Sequence, residues 1–462
     1  MLLLACGAAF LSFLDTTVVN TAFPAIRESL SSQSLASLTW IVTAYTVPFA
    51  SLLATAGRCA DVLGHRRVFG YAVALFTFAS LLSCTSVNLA MLLVARALQG
   101  VGAAAMMPSA LGLLLLGTPP ERRRGALGLW SASGAAAAVV GPAIGGGLAS
   151  AVNWRLIFVI NIPIGLAMLY GTVRMLSPQR PQENAGRLPD PVGAALLTVG
   201  VGAFVVGLTQ GGNWAWTSAG VLGPIVGGVL LVVAGIARSR RQEAPAVDVR
   251  LFAIRTFAVA NVAAWTFSAA MYALLLASPL YLTAVWHYTV FDAALAVSPG
   301  AFVSIAIALY LGRRATPAVQ RVAAVLGSLC LTATGILMYL LLNDHRSFWL
   351  WLPMSVGGGL AAGLVLTSLS VASATAVPPA QFAAGNGLLT TSRQVGGSVG
   401  IAIMAALLGG SVIMTDPQRV INVFMFCAIG GAISAVVGAF LYPWPSAAPR
   451  PPAGGTAAQA AG

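Results

Sequence analysis

Of the 11 acidic residues only one, Asp15, lies well inside an apolar run; Glu28, Glu121, Glu183, Asp190, Glu243, Asp248, Asp292, Asp344 and Asp416 fall in polar connections, and Asp61 stands at the edge of one. Placing a carboxylate at membrane depth costs about 2.5 to 3.5 kcal/mol on insertion scales, so it needs a partner, water or a proton. Burial disfavours the charged form, and such a carboxyl can therefore take up and return a proton. Asp15 opens the polar stretch Asp15-Thr16-Thr17 and is followed by Asn20, with Thr16 and Asn20 on one helical face. The chemistry open to this group is reversible proton carriage; the alternative is a hydrogen-bonded knot that only holds helices together.

Two arginines also fall inside apolar runs, Arg96 in Arg96-Ala97-Leu98-Gln99-Gly100 and Arg393 in Arg393-Gln394-Val395-Gly396-Gly397. Asn386, Thr390, Arg393 and Gly397 recur at i, i+4, i+7 and i+11, which predicts a polar stripe on one helical face. Arg393 near a helix end would instead snorkel to the surface, and Arg96 has a structural reading as a buried cation. Trp40, Trp265 and Tyr272 could line a cavity for aromatic or cationic ligands, or serve as packing and interface aromatics.

Other chemistries are excluded. All 24 basic residues are Arg, which removes a P-loop or Schiff-base lysine. Cys6, Cys59, Cys84, Cys330 and Cys427 lack metal or disulfide spacing, and His65, His287 and His345 are far apart, so no metal site, cofactor or catalytic cluster is expected. Gly100-Val101-Gly102-Ala103-Ala104-Ala105 has the letters of a nucleotide fingerprint but follows no strand; small residues there let helices approach closely.

The elements that position these residues are transmembrane helices. Hydrophobic residues make up 58% of the 462-residue chain and charged residues 8%, against about 25% charged in a soluble domain. Fourteen spans are predicted, at about 2–24, 36–57, 68–87, 89–117, 125–150, 155–176, 191–211, 216–237, 255–284, 294–312, 319–342, 348–376, 383–412 and 419–442. With both termini placed inside, 18 arginines fall in inner loops, four in outer loops and two within spans. The net charge of +13 is thus a topology signal and no sign of nucleic-acid binding. The first span carries no basic anchor and is interrupted by Asp15, which speaks against a signal peptide. Residues 443–462, rich in Pro, Ala and Gly, are expected to form a disordered cytoplasmic tail.

The arrangement reads as six spans, two more, then six: bundles over 1–180 and 250–442 with additional helices over 191–237. The loop Gly57-Arg58-Cys59-Ala60-Asp61-Val62-Leu63-Gly64-His65-Arg66-Arg67 has a degraded echo after span 10 in Gly312-Arg313-Arg314. Repeated halves around a midplane site are a habit of transporters.

These motifs resemble the major facilitator superfamily, in particular its fourteen-helix drug:proton antiporters of the EmrB/QacA type. Leu14-Asp15-Thr16-Thr17-Val18-Val19-Asn20-Thr21-Ala22-Phe23-Pro24 is similar to that subgroup's first-helix signature. The Gly57 to Arg67 loop resembles the superfamily's motif A, Arg96 to Gly100 its motif B, and Gly141-Pro142 with Gly145-Gly146 its motif C, associated with antiport. Asn153-Trp154-Arg155 with Phe158, Asn161, Pro163 and Gly165 also fits. The resemblance implies an all-α polytopic membrane protein of major-facilitator fold, two six-helix bundles plus two extra central helices. It implies that Asp15 and Arg96 serve proton coupling and substrate; Asn20 and Arg393, from their polar helical faces, are expected to belong to the same region. Gly57, Asp61, Gly64, Arg66 and Arg67 would latch the halves at the cytoplasmic side, charge-paired when the carrier faces outward. Gly141, Pro142, Gly145 and Gly146 would let span 5 flex against the opposite half. Some relatives carry further intramembrane acids in the second half; spans 9 to 14 here have none, which argues against a preference for divalent organic cations.

The expectation is a monomeric, proton-coupled exporter of amphipathic small molecules in a bacterial cytoplasmic membrane, with no cofactor, no metal and no catalytic residue. A dedicated exporter of an endogenous lipid, envelope component or self-made antibiotic is the alternative, since such pockets use the same apolar and aromatic residues.

Overall fold

The computed structural model describes residues 1–30, 35–151, 153–175, 189–211, 215–314, 316–343, 345–408 and 417–440. Apolar runs of this length close their backbone hydrogen bonds within the segment, the open-chain solution available in lipid. The first half comprises α1 (Leu2–Ser29), α2 (Leu35–Leu63), α3 (His65–Cys84), α4 (Leu89–Leu116), α5 (Arg123–Ala151), the short α6 (Leu156–Val159) and α7 (Asn161–Met175). Then follow α8 (Pro191–Gln210) and α9 (Ala219–Ser239), and the second half of α10 (Arg255–Ala284), α11 (Val290–Arg314), α12 (Pro317–Leu341), α13 (Phe348–Ala376), α14 (Phe382–Leu407) and α15 (Pro417–Ala439). The helices α6 and α7 form one crossing, broken where Pro163 has no amide to close on the Val159 carbonyl. Among the described residues a helix, or in one case a broken helix, stands at each of the fourteen expected positions in order.

Among the described residues twelve helical spans are long and apolar enough to cross a membrane by length and composition, α6 and α7 counting as one. The other two crossings, α5 and α14, are continuous helices of 29 and 26 residues. The polar run from Thr390 to Gln394 makes α14 less apolar than its neighbours, and both helices meet the opposite half rather than lipid alone.

Two features depart from the sequence expectation. The segment Gly57 to Leu63, expected to be loop, completes α2, and the connection to α3 shrinks to Gly64, whose φ of +95° only glycine adopts without strain. The expected tail lies outside the described residues, as do Arg180, Arg187, Glu183, Asp344 and Asp416.

Packing differs between the two ends. At the end bearing most arginines, one apolar cluster joins Phe69, Met106, Leu111 and Trp130 of the first half to Phe257, Val371, Ala374 and Phe382 of the second. Toward the other end the clusters separate: Leu14, Val18, Ile41, Trp154 and Phe158 pack within the first half, and Tyr281, Trp286, Trp351 and Phe424 within the second. Among the described residues, the large apolar cluster that joins the halves lies at the arginine-rich end. The additional helices pair through glycine, Gly200 against the Gly228 carbonyl, and α8 leans on α2 where Gly202 faces Val47.

Candidate functional site

Asp15 sits mid-helix in α1 and forms a buried ion pair with Arg96 of α4, each side chain 1% exposed. Arg96 Nη1 donates to Asp15 Oδ2, while Oδ1 accepts from Asn161 Nδ2 at 2.9 Å and from Gln99 Nε2 at 3.2 Å. Gln99 Oε1 accepts from Arg96 Nη1 at 2.9 Å and from Ser83 Oγ at 3.1 Å, and Gln99 Nε2 also donates to Ser80 Oγ at 2.8 Å. Arg96 Nε donates to the Ile41 carbonyl at 3.2 Å, and its guanidinium carbon lies 4.4 Å from the Tyr45 ring centroid. The Tyr45 hydroxyl closes the circuit by donating to the Ser12 carbonyl at 3.2 Å. Charge-assisted bonds of this kind are the strong ones, and here they tie α1, α2, α3, α4 and α7 to one carboxylate. The hydrogen-bonded knot that the sequence left as an alternative is present; Asn161, Gln99, Ser80 and Tyr45 complete it. Arg96 and Gln99 meet the same carboxylate because they are three residues apart on α4, a signal visible in the sequence. The side chain of Asn20 lies outside the described residues.

Arg393 stands in different company. It is the twelfth of 26 residues in α14, about 16 Å along the helix at 1.5 Å per residue, too deep to snorkel to the near end. Among the described residues no carboxylate pairs with it and no oxygen accepts from its guanidinium. Its neighbour from α10 is Tyr272. The Tyr272 hydroxyl donates to Gln394 Oε1 at 2.6 Å, and its ring lies where a Cβ on Gly397 would be. Trp265, two turns earlier on α10, shares that side of the helix and is 38% exposed. Trp40 is half-buried on α2, five residues before Tyr45. The predicted stripe is real: Asn386 and Thr390 are buried, yet Asn386 Nδ2 and Thr390 Oγ1 have no hydrogen-bond partner.

The motif A residues divide. Asp61 reaches the second half, its two oxygens accepting from the amides of Ala383 at 3.1 Å and Ala384 at 2.8 Å at the start of α14. Its partner there is a helix N-terminus, where free amides and the helix dipole favour a carboxylate, rather than the side-chain cation that charge pairing implies. A Cβ on Gly57 would overlap the Ala383 carbonyl, so glycine is what lets α2 and α14 touch. Arg66 turns to its own half, donating to the carbonyls of Thr172 and Val173, and Arg67 is exposed. Gly64 makes the turn.

Motif C acts within the first half. Gly141 accommodates the Thr17 side chain and Gly145 the Val18 backbone of α1, so these glycines seat α5 on its own bundle. Close approach to the opposite half occurs instead at Gly128, whose added Cβ would stand 2.8 Å from the Ala308 carbonyl and from Gly312 Cα of α11. The side environment of Pro142 and Gly146 lies outside what is described.

A model of the Major Facilitator Superfamily matches residues 5–401, and the chain belongs to that family. It is accordingly a multi-pass membrane transporter and not an enzyme. Among similar proteins is the cephamycin export protein CmcT of Amycolatopsis lactamdurans, 30% identical over 96% of this chain and 91% of the relative. The methylenomycin A resistance protein of Streptomyces coelicolor is 32% identical over 86% of this chain and 82% of its own. The multidrug resistance protein Stp of Mycobacterium tuberculosis is 30% identical over 86% and 74%. The crystal structure of the human organic anion transporter MFSD10 superposes with a TM-score of 0.70 at 15% identity, over 95% of this chain and 98% of that one, a likeness of fold.

Proposed function

We infer that the protein exports amphipathic small molecules in exchange for protons, by alternating access between bundles spanning residues 1–180 and 250–442. The observation that carries this reading is the Asp15–Arg96 pair, buried where five helices of one half converge. Protonating Asp15 dissolves the pair and leaves Arg96 on its carbonyl, amide and aromatic contacts. Losing one member of a buried pair costs about 3–5 kcal/mol. A potential of 100 mV supplies about 2.3 kcal/mol per charge and one pH unit about 1.4 kcal/mol, a total of the same size. One proton entering from outside would thus switch the first half and favour outward release; its loss inside would reset the carrier.

The excess of arginines at one end supports placing that end, and both termini, in the cytoplasm of a bacterium, with a single chain as the working unit. The apolar cluster joining the halves at that end supports reading the conformation as outward-facing. The printed names of CmcT, the methylenomycin A resistance protein and Stp, which concern antibiotics and multiple drugs, support a small-molecule cargo. Breadth of cargo is decided in proteoliposomes with an imposed proton gradient, by adding lipophilic cations, neutral antibiotics and acidic drugs in turn. Collapse of the gradient by several unrelated compounds establishes multidrug antiport. Collapse by one class alone points to a dedicated exporter, and collapse by none, lipids and pathway products included, contradicts proton coupling.

A further inference from the structure

We propose that the space between the halves binds organic monoanions, with the guanidinium of Arg393 as the counter-charge for a carboxylate or similar group on an otherwise apolar molecule. The proposal rests on the transporter reading above and adds the charge of the cargo. Among the residues described within the crossings, two charges of the first half cancel: Asp15 and Arg96 are paired and nearly sealed. The second half adds Arg393 with no acid to answer it, so the interior is left with one net positive charge. An uncompensated cation at this depth is costly, and such residues mark sites that meet a charged partner.

The direction in which Arg393 faces follows from what covers the rest of α14. Ala383, Gly387 and Thr391, at successive i+4 steps, contact α2. Ser392, Gly396 and Gly400 contact α10 on nearly the opposite side. Leu388 packs against the cluster of Leu197, Ala246 and Val247, on the side where α14 meets α8, one of the two remaining flanks. The other flank is the stripe of Asn386, Thr390, Arg393 and Gly397, turned away from α8 and lying between the faces that meet α2 and α10; α4 and α13 also touch α14. Its buried amide and hydroxyl lack partners, as polar groups do when a bound molecule or water supplies the second half of the bond. A guanidinium offers a carboxylate two parallel N–H donors, and Tyr272 with Gln394 beside it forms an aromatic and amide wall for the remainder. A cationic ligand of the same shape would face unopposed repulsion there.

Moving a monoanion out while a proton moves in shifts two charges in the direction that an inside-negative potential favours, whereas a neutral cargo shifts one and a monocation none. The anion is therefore the cargo whose export gains most from the potential.

Equilibrium binding to the purified full-length protein tests the inference, using 2-naphthoxyacetate, its neutral primary amide and 2-naphthoxyethyl-trimethylammonium. The carboxylate should bind about tenfold more tightly than the amide, the scale of a charge-assisted bond over a neutral one, and the quaternary ammonium most weakly. In Arg393→Gln the carboxylate should lose that advantage while the amide's affinity stays within about twofold, and Arg393→Lys should retain part of it. Equal affinities for acid and amide, preference for the cation, an advantage that survives Arg393→Gln, or no binding of any of the three would each overturn the proposal. Binding needs no gradient, so a failure of proton coupling in proteoliposomes leaves this result readable, and its failure leaves proton coupling standing.

Discussion

The two halves bury charge in opposite ways. In the first, a carboxylate and a guanidinium meet head-on and the amides of Gln99 and Asn161 join them, so that Asp15 accepts from three side chains on two helices. In the second, Arg393 sits mid-helix beside an aromatic side chain, and among the described residues no acid pairs with it. A satisfied pair can act as a switch, because a proton on one member changes the whole network. A lone cation cannot be switched by that route, but it can receive a charge that arrives and leaves. On the proposed reading, the first half handles the proton and the second recognises the cargo.

Stability should break the comparison first. Arg96→Met leaves Asp15 buried and unpaired, and is expected to cost about 3–5 kcal/mol. Arg393→Met removes a charge that nothing compensates and should be neutral or mildly stabilising. Thermal unfolding of the two variants in detergent decides it; similar losses in both would mean that Arg393 also has a structural partner. An intermediate effect is expected at the closed end. Gly57→Val and Gly128→Val place side-chain atoms against the backbone of the opposite half, and overpacking of this sort costs about 1–3 kcal/mol. The closed arrangement should lose population, seen as increased labelling of single cysteines introduced along α14 near Ala383. Unchanged labelling would show that the closure does not depend on these glycines.

The smallest effect belongs to the helices between the halves. Asp190 caps α8 and accepts from Arg238 of α9, and that hydrogen bond holds its carboxyl below the usual carboxylate range. A depressed carboxyl contributes stability that is present above the ordinary value near 4 and is lost as pH falls through the lower folded value. The difference in Tm between the wild type and Asp190→Asn should therefore shrink on acidification below about pH 4, and a difference that persists there would rule out the ion pair as its source.

The order of crossings, the depth of Asp15 and Arg96 and the polar stripe of α14 were legible in the sequence, since each follows from hydropathy, residue type or helical spacing. What α2 ends on was not: Gly57 to Leu63 read as loop because Arg58 and Asp61 are polar, whereas the chain stays helical until Gly64 and delivers Asp61 to the amides of Ala383 and Ala384. Asn161 and Tyr45 carry no local sign of their partner, because they meet Asp15 and Arg96 only through helix packing. Gly128 is one of 50 glycines, and nothing in its own segment distinguishes the one opposite Gly312. That spans 9 to 14 offer Arg393 no acid was legible in the sequence; that Tyr272 of α10 stands beside it was not, since that follows from how the two helices pack.

The central claim is that Asp15 is the proton carrier. Its most direct test measures drug-induced proton movement across proteoliposomes bearing either the wild type or Asp15→Asn, alongside equilibrium drug binding and thermal unfolding of the same two proteins. The account predicts that the variant folds and binds its drug yet moves no protons in response. Proton movement by Asp15→Asn at the wild-type rate would contradict it.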